Sequence, residues 1–227
     1  MKNYYFLFAL IFSINLSSFS QNSLRVGDPQ RWWTSQGTIE EAVVSVKPKG
    51  LYNEYGLYLT FSSRGTQLTT VNDTLEVVLK FQLPEKAIVH DSWLFMKDWI
   101  SKGKILDKWT ATQIYEDIVD RRKDPSILSK KSATDYELRV FPMAGNETRK
   151  VKISYLLPAN LSSKSTSSQL PIDLLKTSKH TLPLGVLAWD SNYFEFPKLS
   201  NENIKFTSKT DNVSGDYYNA YIPSDLL

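Results

Sequence analysis

The sequence predicts a mainly β protein, an antiparallel β-sandwich with one amphipathic α-helix packed on it and extra strands toward the C-terminus. Three observations predict it. Short runs of alternating apolar and polar residues recur along the chain, punctuated by Gly, Pro and Asn. Only the stretch from Trp109 to Pro125 carries helical apolar spacing instead. Aromatic residues make up 13% of the 227 residues and there is no cysteine, so stability must come from buried area without cross-links.

Residues 1–20 read as a secretory signal. Lys2 gives the positive start, Tyr4 to Phe12 a short apolar core, and Ser18-Phe19-Ser20 puts small serines at the −3 and −1 positions of a cleavage point ahead of Gln21. The run is too short for a membrane anchor and Asn15 interrupts it. The expectation is an exported chain, periplasmic or extracellular, with no membrane span after the leader. The absence of cysteine excludes thiolate chemistry and a lipidated N-terminal Cys. A net charge of +3 does not point to nucleic acid as partner.

Residues 21–38 form an aromatic arm around Trp32-Trp33. Adjacent tryptophans offer a possible aromatic contact surface for a sugar or a protein; a plug on the sandwich is the preferred reading, because Trp is highly buried on average. Glu41–Val46 and Tyr55–Phe61 read as strands joined through Lys47-Pro-Lys-Gly50, with Tyr55, Leu57, Leu59 and Phe61 on one face. Thr74–Leu83 follows, with Leu75, Val77, Leu79, Phe81 and Leu83 aligned and Pro84 as its stop. Ala87–Met96 is a further strand, and 97–108 a mixed turn and short strand.

The helix places Ala111, Ile114, Tyr115, Ile118 and Val119 on one face. Thr110 and Gln113 fit a capping box, Asp117 and Arg121 stand one turn apart, and Pro125 ends the helix. Tyr136–Pro142 and Glu147–Pro158 alternate as two strands, and the turn Ala144-Gly145-Asn146 between them predicts a hairpin. Residues 159–169 are Ser/Thr-rich and predict a flexible loop or linker. Residues 170–227 return to strand patterns at Leu184–Trp189, Tyr193–Phe196, Asn203–Thr207 and Tyr217–Ile222, completing the same sandwich or starting a second.

These motifs carry a resemblance. Ile114-Tyr-Glu-Asp-Ile-Val119, Arg122-Lys-Asp-Pro-Ser-Ile-Leu128, Tyr136-Glu-Leu-Arg-Val-Phe-Pro142 and Glu147-Thr-Arg-Lys-Val-Lys-Ile-Ser-Tyr155, with Phe81-Gln-Leu-Pro-Glu85 upstream, resemble a VIT domain, the module named after vault proteins and inter-alpha-trypsin inhibitor heavy chains. The resemblance covers roughly residues 40–157, and 39–158 is taken as the domain. It implies an interaction module, usually followed by a von Willebrand type A domain. The Asp-x-Ser-x-Ser metal motif of that partner is absent; Asp190-Ser-Asn and Asp211-Asn-Val-Ser do not fit it.

No catalytic constellation emerges. His90 and His180 are the only histidines, and Asp91, next to His90 in a strand, should point to the opposite face. His90 is therefore read as a surface or edge residue and His180 as exposed. Ser101 and Lys104 match Ser-x-x-Lys, but Gly103 breaks the helix that pattern needs. Asp117 and Asp120 read as a solvated helix face before they read as a cation site. Arg121-Arg-Lys123 with Lys130-Lys131 reads as cations at the negative helix end. The expectation is a non-catalytic scaffold for protein contacts, with no cofactor and no metal, and with a type A domain in the same longer chain as the candidate partner. A carbohydrate-binding sandwich using Trp32 and Trp33 is the alternative.

Overall fold

The computed structural model describes residues 22–31, 33–120, 126–163, 165–189, 196–211 and 215–227, without the side chains of Lys108, Ile118, Val119 and Asp120. The leader, Trp32, the Arg121–Lys123 cluster, Pro125 and Tyr193 lie outside these residues.

Alternation makes the sheets. The strands in chain order are β1 (Ser23–Gly27), β2 (Ser35–Gln36), β3 (Thr38–Lys49), β4 (Tyr52–Ser62), β5 (Thr74–Gln82), β6 (Ile88–Phe95) and β7 (Ile100–Lys102). Helix α1 (Lys108–Asp120) follows, then β8 (Ser126–Lys130), β9 (Asp135–Ala144), β10 (Thr148–Pro158), β11 (Asn160–Leu161) and β12 (Thr166–Ser167). A 3-10 turn spans Ile172–Thr177, before β13 (Leu184–Trp189), β14 (Thr207–Asp211) and β15 (Gly215–Ile222). A smaller sheet runs β2-β1-β5-β9-β8 and a larger one β14-β15-β13-β3-β4-β10-β6-β7. Their facing sides share one core. Val26, Leu75, Val77, Leu79 and Val140 come from the smaller sheet; Val44, Leu57, Leu59, Ile153 and Leu184 come from the larger. Each such side chain contributes about 1.5–3 kcal/mol by leaving water.

The Ala144–Asn146 turn does not close a hairpin. β9 pairs with β5 and β8, whereas β10 pairs with β4 and β6. The chain crosses here from one sheet to the other. The turn is pinned from outside: Gly145 donates its N–H to Asp73 O at 3.2 Å, and Ser63 Oγ donates to Gly145 O at 2.6 Å. A Cβ on Gly145 would meet the carbonyl oxygens of Leu68 and Thr70 at 2.6 Å. Gly145 thus admits a close backbone crossing, with no positive φ involved.

Nor is the larger sheet wholly antiparallel. β13 lies parallel to β3, in the register Leu184↔Ala42. The reason is local. Ile39 N donates to Ser178 Oγ at 2.9 Å, and Lys179 N donates to Gly37 O at 2.9 Å. Those bonds tie the chain to the start of β3, so the next strand runs in the same direction. β13, β15 and β14 then extend the larger sheet. The Ser/Thr-rich stretch is also more ordered than its composition suggests. β11 and β12 pair, and Asn53 Nδ2 donates to Thr166 Oγ1 at 3.1 Å and Ser168 Oγ at 2.8 Å.

Helix α1 is capped one turn before the predicted box. Asp107 Oδ1 accepts from Thr110 N at 3.0 Å, and the hydroxyl and backbone N–H of Thr110 hold its carboxyl below the ordinary Asp range. Tyr115 is 4% exposed, but Ile114 is 44% exposed, so the helix does not bury the wide apolar stripe its spacing implies. The fixing contact is polar. Tyr115 OH donates to Glu76 Oε1 at 2.5 Å, and Arg139 Nη2 donates to Glu76 Oε2 at 2.8 Å. The Arg139 guanidinium also lies 5.2 Å from the Tyr115 ring centroid. Glu76, on the side of β5 away from the core, is 6% exposed.

Two outcomes follow from these contacts. Gly145→Ala should lower stability by about 1–3 kcal/mol, because rigid carbonyls line the site; denaturant melts with an unchanged midpoint would refute the crowding. Burial and then the Glu76 charge raise the Tyr115 ionisation above the ordinary tyrosine value, and burial and then Tyr55 do the same for Tyr155. Below pH ~10 both folded and unfolded tyrosines are neutral, so their contribution is intact. Above it only the unfolded chain ionises freely, and stability falls as pH rises. Tyr115→Phe should cost about 1–3 kcal/mol at neutral pH by orphaning a buried carboxylate oxygen, and should flatten that alkaline loss; melts at neutral and alkaline pH test both.

Candidate functional site

Strand register builds a groove on the outer face of the larger sheet. Ser45, Gly56, Ser154 and Asp91 stand in one row across β3, β4, β10 and β6. The neighbouring row is Val43, Tyr58, Lys152, Trp93 and Lys102. Three small residues side by side leave a floor with no tall side chain. Tyr58 and Trp93 rise on one flank and Trp189 belongs to the other wall, enclosing about 320 Å³. The floor is tight in itself: a Cβ on Gly56 would meet Ser45 Oγ at 2.5 Å.

Lysines sit on the rings of this face. Lys152 Nζ is 4.1 Å from the Trp93 ring centroid and 5.3 Å from that of Tyr58. Lys102 Nζ approaches Trp93 at 4.8 Å, and Lys47 Nζ approaches Trp189 at 5.7 Å. Each contact holds an ammonium over a negative π face, and the Lys152 chain also crosses the floor, its Cε 3.2 Å from where a Gly56 Cβ would stand. Trp93 Nε1 donates to Asp91 Oδ2 at 2.5 Å, which fixes the indole.

His90 lies in this groove for a reason the strand pattern hides. Ser154 pairs with Asp91 and Tyr155 with Val89, so His90 is the extra residue of a β-bulge. The bulge breaks the alternation that should have sent His90 and Asp91 to opposite faces, and both line the groove. His90 Nε2 lies 3.1 Å from Glu54 Oε1, close enough for an ion pair but without hydrogen-bond alignment. Lys49 Nζ shares the same Glu54 oxygen at 3.4 Å. Among the described residues no hydrogen bond joins His90 to Ser45 or Ser154, so no activated hydroxyl is assembled. No group of three potential metal-ligating His, Cys, Asp or Glu residues occurs among them either.

The residues singled out from sequence are placed elsewhere. Trp33 packs half-buried against the core, with the Arg31 guanidinium 6.0 Å from its ring centroid; Trp32 is outside the described residues. Tyr115 points at Glu76, Ile114 at solvent, and the side chains of Ile118 and Val119 are not described. His180 is half-buried, its carbonyl accepting from Ser178 Oγ at 2.7 Å. Tyr58, Trp93, Trp189 and Lys152 were not singled out. One signal was available: Tyr58 is an aromatic out of phase with the buried series Tyr55, Leu57, Leu59 and Phe61.

A second cavity, of about 280 Å³, opens at one end of the sandwich beside Asn22, Tyr155 and Leu174. Tyr155 stacks on Tyr55 there, centroids 4.8 Å apart.

A family model described as the vault protein inter-alpha-trypsin domain matches residues 43–155, from within β3 to within β10. Residues 43–155 belong to the VIT family. The match includes β4, β5, β6, β7, α1, β8 and β9 and thus spans both sheets and the helix; the groove's Ser45, Gly56, Trp93 and Ser154 fall within the VIT domain, and Trp189 lies beyond it. No curated protein matches the chain. Among solved structures, a mutant M1 zinc metallopeptidase from Deinococcus radiodurans aligns with 82% of this chain and 39% of its own, at 10% identity and a TM-score of 0.39. Legionella pneumophila aminopeptidase A aligns with 88% of this chain and 21% of its own, at 8% identity and a TM-score of 0.37. The chain therefore spans well under half the length of either peptidase, and likeness at this level carries nothing about catalysis.

Proposed function

We propose that the chain is a non-catalytic, exported interaction module whose docking face is the outer side of the larger sheet, centred on the groove. One observation carries the reading: a row of small residues on adjacent strands, walled by Tyr58, Trp93 and Trp189 and flanked by Lys47 and Lys152. Aromatic walls suit protein contact, where Trp and Tyr anchors carry much of the binding energy, and the lysines beside them add electrostatic complementarity to an acidic segment. The VIT domain is itself a protein-interaction module, which supports the same reading. The chemistry favours an extended polypeptide with small or apolar side chains toward the floor and carboxylates toward the lysines. A type A domain in the same longer chain is the proposed source of that segment. Export rests on the leader. Among the described residues no helix is long and apolar enough to cross a membrane.

The carbohydrate reading has a specific observation in its favour once moved from Trp32 and Trp33 to this groove. Aromatic rings flank a hydroxyl-bearing floor of Ser45 and Ser154. The lysines already seated on those rings compete with sugar stacking, so the polypeptide is favoured.

A peptide-display selection on the native full chain alone, with the enriched peptides then measured on the double variant Trp93→Ser and Lys152→Ala, tests the site. Peptides enriched in acidic residues should bind at least about tenfold more weakly to the double variant, at an unchanged melting temperature. Equal binding to both proteins would place the contact elsewhere. A glycan array positive for the native chain and blank for Trp93→Ser would replace the polypeptide with a sugar.

A further inference from the structure

Apart from the groove, the stretch between β6 and the first turn of α1 holds large apolar side chains in water. Trp99 is 57% exposed, Ile105 85%, Leu106 45% and Trp109 73%. They are not displaced core residues, because the backbone is anchored on both sides of the tip. Met96 N donates to Trp99 O at 2.9 Å, Gly103 N donates to Ser92 O at 2.7 Å, and Asp107 caps the helix through Thr110 N. These bonds hold Ile105 and Leu106 outward between two fixed points. Lys97, beside Asp98, and Lys104, beside Ile105, lie among the apolar residues, and among the described residues neither enters an ion pair; Lys102 is seated on Trp93 at the edge of the groove. Of the nearby acids, Asp107 is engaged with Thr110.

We propose that this segment seats the protein on an anionic phospholipid surface. Tryptophan prefers the boundary between headgroups and acyl chains, and Trp99 and Trp109 flank the tip. Ile105 and Leu106 are the side chains that would enter the acyl region, as the apolar face of an interfacial segment does. The lysines would meet lipid phosphates, each adding attraction near the surface. Ile105, 85% exposed, protrudes between Trp99 and Trp109, the arrangement in which an apolar tip sinks below the headgroups while the indoles stay at their level.

The lack of cysteine supplies the test. In the full chain, Ile105→Cys carries an environment-sensitive fluorophore, and Ser208→Cys on β14 carries the same label as the control. Vesicles of phosphatidylcholine with phosphatidylglycerol should blue-shift and brighten the label at position 105 while leaving that at 208 unchanged. Any binding through the leader is common to both proteins and cannot produce the difference. Lys97→Glu with Lys104→Glu should weaken the response about tenfold or more, and added salt should weaken the native response in the same direction. Equal responses at 105 and 208 would overturn the assignment. So would no response at 105, or a blue shift that grows with protein concentration in lipid-free buffer, which would give the segment to a second copy.

Discussion

The carboxylate of Glu76 is the constraint on which the arrangement of helix and sheets rests. It stands on the side of β5 that faces away from the core, where a strand would ordinarily meet water. Helix α1 covers that position and brings Tyr115 OH, and β9 brings Arg139. Burial pulls the Arg139 ionisation down, but its hydrogen bond and attraction to Glu76 outweigh this and raise it. A buried carboxylate without partners is strongly disfavoured, so the three groups specify one another's positions. An apolar stripe tolerates sliding and rotation of a helix; a phenol and a guanidinium converging on two oxygens do not.

This explains why the fold was legible in the sequence and the helix docking only half so. Alternation at Tyr55–Phe61 and Thr74–Leu83 marks buried faces without reference to any partner, and those strands fall where the pattern places them. The periodicity of Ile114, Tyr115, Ile118 and Val119 is likewise local, but it cannot tell which turn of the helix meets the sheet. Tyr115 meets it through its hydroxyl and Ile114 faces water, and nothing near either residue in the sequence announces Glu76, thirty-nine positions upstream of Tyr115. The turn at Gly145 misled for the same reason. Small residues between two strands signal a change of direction, and only the packing of Leu68 and Thr70 against it decides that the chain changes sheet instead of pairing back.

The groove was less legible still, because it is a property of register. Ser45, Gly56 and Ser154 are unremarkable within their own strands. They become a floor only when β3, β4 and β10 lie side by side at one alignment, and a slip of one residue would scatter them to both faces. The bulge at His90 compounds this by turning two consecutive side chains to one side, against the rule that separates neighbours in a strand. The VIT motifs reported the family through the strands and helix that carry them, and those same strands set the register from which the groove arises.

The parallel seam between β3 and β13 bears on how such a molecule comes into being. A ribosome delivers the N-terminal partner, around Ala42, long before it delivers Leu184. Until then one border of β3 stands bare, its amides and carbonyls unanswered, and the largest sheet remains incomplete. Vectorial synthesis therefore yields a sheet that closes late, because the residues through Ile222 must emerge before the strands beyond β3 can add on.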